Sequence, residues 1–257
     1  MSTAFRSLAF AGVVAALAVP AALPAQGRLQ HPPQGGPGFL FHAPRVTLGV
    51  RGGFNVRAAG SGIYDFVTSE LTLKKSDFNA FSIAGDFGVT IAGPLELVLG
   101  GGYTRTSTAS ESRDYVDQND LPITQTTTLT TTPLTLAARY YLTPRGRQVG
   151  RFVWIPARFM PYVGVGGGMI RYSLEQVGSF VDVADLSIFN DTFKSWGWTP
   201  LGMVMAGADY SLGSRVFVNG DVRYLWANGE LGPDFLGFPD GIDLSGVQFS
   251  LGLHVRI

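Results

Sequence analysis

The sequence has no cysteine. That excludes disulfides, thiolate metal centres, a cysteine nucleophile and the lipidated cysteine of a bacterial lipoprotein. Histidine is almost absent too: His31, His42 and His254 are the only three, two of them near the N-terminus, so no histidine metal cluster or cofactor site is expected. Charge is scarce, at 15% of residues against about 25% in ordinary soluble domains. Its signs balance at 19 Lys+Arg and 19 Asp+Glu, which removes the basic footprint that nucleic acid requires. After the N-terminus every hydrophobic stretch is interrupted by Gly, Pro or a charge well short of the roughly 20 residues a membrane helix needs. Any crossing of a bilayer therefore has to use strands.

What is present begins with an address. Arg6, the apolar run Leu8 to Val19, and Leu23-Pro24-Ala25 before Gln26 form the three regions of a signal peptide, residues 1–25, with cleavage expected after Ala25. About a dozen apolar residues are too few for a transmembrane anchor. Residues 26–44, with Pro32-Pro33 and Gly35-Gly36-Pro37, read as a flexible linker, leaving 45–257 as the folded part.

From Arg45 the sequence turns to period two, the strand signature. Val46, Leu48, Val50, Phe54 and Val56 alternate with Thr47, Gly49, Arg51, Asn55 and Arg57. Similar runs lie at 81–91, 95–104, 134–142, 161–172, 201–212, 216–226 and 247–257, making eight in all. In the fifth, Gly164, Gly166, Gly167 and Gly168 blur the faces, and a bulge is expected there. Connections alternate between long polar segments (58–77, 105–132, 173–199, 227–243) and minimal turns at 92–94 and 213–214; 143–160 is an intermediate, aromatic exception. The pattern predicts an all-β fold, an eight-stranded antiparallel up-and-down transmembrane β-barrel with both termini on the short-turn side. A soluble lipocalin-like barrel also has eight strands. It would need an apolar interior, whereas one face here carries Arg51, Asp86, Glu96, Arg139, Asp209, Asp221 and Arg223. Tyr103, Tyr140, Tyr224 and Trp226 end the apolar faces, where girdle aromatics belong.

The last run, Ser250-Leu251-Gly252-Leu253-His254-Val255-Arg256-Ile257, resembles the C-terminal assembly signal of the small outer-membrane β-barrel proteins of the OmpA, OmpX and OmpW type, with Ile257 in place of their usual Phe or Trp. Pro161 to Gly167 and Asp221 to Tyr224 are also similar to patterns in those barrels. The resemblance implies a bacterial outer-membrane location. It further implies contact with outer-membrane lipid, and assembly machinery that reads Gly252, Val255 and Ile257 on the last strand. No peptidoglycan-binding domain is expected after the eighth strand.

Arg51, Arg139 and Arg223 can meet Asp86, Asp209 and Asp221 in the lumen, where mixed signs allow buried charges to pair. A structural network is expected rather than an ion path, since eight strands leave a lumen that side chains can fill. Enzymatic function is not expected. Ser250 and His254 share a face but lie about 13 Å apart at roughly 3.3 Å per residue, too far for a nucleophile and its base. Gly164 to Gly168 lack the Lys-Ser/Thr of a phosphate loop. The expected role is structural or surface-interacting, through loops whose ligand is not legible; a narrow route for small or hydrophobic solutes, as in OmpW-type barrels, is the alternative. Trp196 and Trp198 read as interface anchors.

Overall fold

The computed structural model describes residues 38–182 and 185–257; the expected signal peptide, and residues 26–37 of the expected linker, lie outside the described residues. Eight long strands make the fold: β1 (Val46–Arg57), β2 (Ala80–Ala92), β3 (Leu95–Val116), β4 (Pro122–Tyr141), β5 (Phe159–Val181), β6 (Ile188–Ser211), β7 (Val216–Trp226) and β8 (Gly246–Arg256). Each pairs antiparallel with the next, and β8 returns to β1 from Thr47 opposite Arg256 to Arg57 opposite Gly246, closing the ring.

The alternation read from the sequence sets the faces. Leu48, Val50, Phe54 and Val56 point outward and are exposed, while Thr47 and Arg51 between them are buried. On β8, Phe249, Leu251, Leu253 and Val255 are outside, with His254 and Arg256 inside at 1% exposure each. An exterior of aliphatic side chains around an interior of charges is the reverse of a soluble barrel and fits one solvated by lipid. Aromatics ring both ends of this belt, with Phe81, Tyr103, Trp198 and Trp226 towards the long loops and Tyr140, Phe159 and Tyr210 towards the short turns. Between Trp198 and Tyr210, β6 covers about 40 Å at roughly 3.3 Å per residue, which at the usual barrel tilt is about 30 Å of height. No helix among the described residues is long and apolar enough to cross a membrane.

Three expectations need correction. The segments 105–132 and 173–199 are not loops for most of their length. β3 and β4 continue to Val116 and Pro122, and β5 and β6 to Val181 and Ile188, as two ladders that rise far above the belt. Thr124 to Thr132 are β-branched almost throughout, so a polar run that looks like loop composition is also good strand material. The fifth strand has no bulge, since its register is unbroken against both neighbours. Its glycines serve a corner instead: a Cβ on Gly166 or Gly168 would run into the Leu136 or Leu134 carbonyl of β4. Register shifts lie elsewhere, between Thr90 and Ala92 and between Glu111 and Val116. Finally, 58–77 is not simply polar. It folds as α1 (Gly62–Glu70), whose Ile63, Tyr64 and Val67 are buried. With Leu71, Phe78, Phe235 and Ile242 they form an apolar cap against the upper inner face of β4, β5 and β6.

The opposite mouth is also covered. The 142–158 connection forms a two-stranded ribbon, Gly146–Val149 against Val153–Pro156. The described end of the expected linker is anchored to it, for Leu40 and Trp154 exchange two backbone hydrogen bonds of 2.8 Å each.

Candidate functional site

Inside the belt an apolar cluster of Ala137, Met160, Met203 and Met205 adjoins a charged network whose centre is Asp86 on β2. Its Oδ2 accepts from Arg51 Nε of β1 at 2.9 Å and from Arg139 Nη2 of β4 at 3.5 Å, with Arg223 Nη2 of β7 at 3.9 Å and His254 Nε2 of β8 at 3.5 Å. Five strands thus converge on one carboxylate. Arg223 also grips Asp221, two residues away on the same face of β7, with Nη2 at 2.6 Å from Oδ2. Asp221 further accepts from Tyr162 Oη at 3.1 Å and from Ser250 Oγ. The third predicted carboxylate, Asp209, stands apart from the arginines. Its partners are Tyr141 Oη at 2.8 Å and Asn219 Nδ2 at 2.7 Å.

Below this cluster Glu96 joins in. It accepts from Thr47 Oγ1 at 3.0 Å and Arg145 Nη2 at 3.1 Å, and Tyr141 Oη lies 3.0 Å away. Arg139 Nη1 is 3.8 Å from Glu96 and its guanidinium covers the Tyr162 ring at 4.9 Å, so one buried cation links the two levels. Arg256 closes the floor by donating to Ser211 Oγ at 2.9 Å and lying over the Phe217 ring at 4.3 Å. At the top, Arg57 donates to Thr131 Oγ1 at 2.8 Å and to the Leu244 carbonyl at 3.0 Å, tying the lumen to the apolar cap.

Of the six residues expected in the network, Arg51, Asp86, Arg139 and Arg223 meet at Asp86, Asp221 joins through Arg223, and Asp209 is held by neutral donors. Sequence reasoning did not assign Tyr141, Tyr162, Asn219, Arg145 or His254 to it. Strand parity alone placed Tyr141, Asn219 and His254 inside; which non-neighbouring strands' residues reach the same height depends on barrel shear, which spacing along one strand does not reveal. The residues expected to form an assembly signal fall at the closing strand. Gly252 pairs with Arg51 and Val255 with Leu48, and Ile257 follows the end of β8. Gly252 faces inward, where a Cβ would stand 2.8 Å from that of Arg51 and 2.9 Å from His254 Cε1; only glycine leaves room for both side chains.

Chemically this arrangement holds buried charge, and the two side chains considered as a nucleophile and base are otherwise engaged. Ser250 is committed to Asp221, and His254 is stacked on Phe217 at 5.2 Å. No group of three or more His, Asp or Glu among the described residues could hold a metal ion. In the wall, the β3–β4 ladder skips from Gly101 opposite Leu134 to Thr104 opposite Thr131. Pro133, which has no N–H to donate, stands in the gap.

A closed ring of eight antiparallel strands with a charged lumen and a lipid-facing belt defines a β-barrel protein of the outer-membrane type. No family model and no curated protein sequence matches the chain. Among solved structures it is similar to Neisserial surface protein A, at 14% identity and a TM-score of 0.44 over 82% of this chain and 96% of that one. It is also similar to the outer membrane protein OprG from Pseudomonas aeruginosa, at 16% identity and 0.43 over 85% and 99%. A third is Ail, the attachment invasion locus protein of Yersinia pestis, at 9% identity and 0.43 over 84% and 100%.

Proposed function

We propose that this is an integral protein of the bacterial outer membrane, exported by its N-terminal signal peptide, that acts through its outer surface and performs no catalysis. The observation that carries the reading is that the lumen is obstructed at successive heights: the apolar cap, the Asp86 and Glu96 networks, and the Arg256 floor. Filled in this way, the barrel serves as a rigid mount. The β3–β4 and β5–β6 ladders stand above it as the accessible surface. Segments 57–79, 105–131, 171–199 and 227–245 carry fifteen acidic side chains against seven basic ones, so a partner of net positive charge suits them best.

A narrow solute route has one observation in its favour. A cavity of about 40 Å³ is touched by Arg51 and Gln248 from inside and by Ile83 and Tyr103 from outside, beside the Pro133 gap. Planar-bilayer recording separates the two readings. The surface role predicts no steady conductance from the wild type. It also predicts that replacing the ladder tips, 112–126 and 177–191, with short turns abolishes partner capture by intact cells while the barrel still folds. Steady conductance that falls in Pro133→Val, where the missing N–H is restored, would establish the solute route instead.

A further inference from the structure

The charges of this barrel are sorted by height. At the short-turn end, segments 38–45, 93–94, 142–158 and 212–215 contain Arg45, Arg145, Arg147, Arg151, Arg158 and Arg215 and not one Asp or Glu. Arg145 is consumed by Glu96. The other five are exposed, and none makes an ion pair among the described residues. The long-loop end is acidic, as noted above, so the cationic end is a directed feature and not a reflection of overall charge.

Two of these cations share one cleft with Arg256 of the lumen floor. Arg45, Arg215 and Arg256, with Phe41, His42 and Ile257, line a hollow of about 740 Å³ between the approach to β1, the β6–β7 turn and the end of β8. Its rim is fixed by backbone bonds. Arg256 N donates to the Arg215 carbonyl at 2.7 Å, Arg45 N to a main-chain carboxyl oxygen of Ile257 at 3.2 Å, and Ile257 N to the Val46 carbonyl at 2.9 Å. Arg256 is 1% exposed, and its Nη1 has no hydrogen-bond partner while Nη2 is engaged by Ser211. A concave site with two exposed guanidiniums free of ion pairs, above a third that is buried with Nη1 unpartnered, is suited to a phosphate. The outer border of the cleft is apolar, with Phe41 68% exposed and Ile257 61%. The exposed Val255 of β8 lies next in the chain to Arg256, and the exposed Leu212 of the β6–β7 turn lies close to Arg215.

We infer that the cleft formed by Arg45, Arg215 and Arg256 binds the phosphate headgroup of an anionic phospholipid of the periplasmic leaflet, with its acyl chains lying along Leu212, Val255 and Ile257. A soluble anion would use the arginines and leave the apolar border idle; a lipid uses both. The inference rests on the membrane placement of the barrel but not on any role of its outer surface.

The test is native mass spectrometry of the full folded chain, delipidated in detergent and offered equimolar phosphatidylglycerol and phosphatidylcholine. The wild type is expected to retain phosphatidylglycerol preferentially. In Arg45→Ala/Arg215→Ala that retention should fall roughly tenfold or more, at about 1 kcal/mol per basic residue near an anionic surface, whereas Arg147→Ala/Arg151→Ala should change it little. Folding of each variant is read by heat-modifiable gel migration. Should the double variant not fold, Arg215→Gln alone, in an exposed turn, is expected to lose roughly fivefold by the same reasoning. Equal retention of the two lipids, undiminished retention by a folded variant, or full displacement of phosphatidylglycerol by millimolar inorganic phosphate would each overturn the assignment. A chain that is soluble without detergent would instead show that the membrane placement itself is wrong.

Discussion

Asp86 is 6% exposed and has three guanidiniums and an imidazole within 4 Å. In water such a cluster would contribute little, because exposed ion pairs are weak. Inside the barrel, removing the anion strands several cations in a space that cannot solvate them, and the cost comes from what is left unpaired. Asp86→Ala should therefore destabilise the barrel by about 3–5 kcal/mol, measured by urea unfolding in lipid vesicles with tryptophan fluorescence. Asp209 provides the contrast. Its contacts are a phenol and an amide, so Asp209→Asn should cost only about 1 kcal/mol, the scale of neutral hydrogen bonds. If the two substitutions cost the same, Asp86 is not the electrostatic centre. Of these contacts the sequence discloses the facing and the signs of the charges, through strand parity. The Asp209–Asn219 pair, directly opposed across the short β6–β7 turn, is open to reading as well; that Tyr141 of β4 would reach Asp209 is not, because the relative heights of β4 and β6 are set only when the ring closes.

Among the elements, those with one apolar and one polar face were legible, and those wet or covered on both sides were not. β8 announces itself by strict alternation from Val247 to Ile257. The upper halves of β3 and β4 do not, because above the lipid no face has to be apolar and Ser and Thr are equally at home in loops. The cap was missed for a different reason. Ile63, Tyr64, Val67 and Leu71 follow helical spacing within a segment otherwise marked by Gly, Ser and Asp, and that period was available to be read. The cap is stapled to the barrel by Asp243, whose carboxylate accepts from Gly60 N and Ser245 N at 2.9 Å each, while its carbonyl accepts from Tyr64 Oη at 2.9 Å. Burial opposes the charge on Asp243, but the hydrogen bonds from Ser245 and Gly60 prevail and hold the carboxyl below its ordinary range. A folded pKa below the unfolded one means that this contribution is complete above the unfolded value near 4 and is lost as pH falls from there through the folded pKa. Hydrogen exchange should accordingly show the protection of 60–71 weakening as pH drops below about 4. Asp243→Asn should remove that dependence; protection that falls equally in both proteins would place the acid-sensitive group elsewhere.

For the whole molecule, one distribution accounts for the architecture: aliphatic side chains outside, paired charges inside, apolar and backbone closures above and below, acidic groups at one end and arginines at the other. Each layer meets the solvent it faces, whether lipid, the barrel's own countercharges, or water on either side. The most direct test of that account is whether the chain recovered from outer-membrane fractions is a folded, heat-modifiable barrel. Run on a gel without boiling, it should migrate as a compact species that shifts to its full apparent mass after boiling, and it should leave the membrane only with detergent. A protein found free in the periplasm, with the same migration before and after heating, would contradict the lipid-facing belt on which the rest of the interpretation stands.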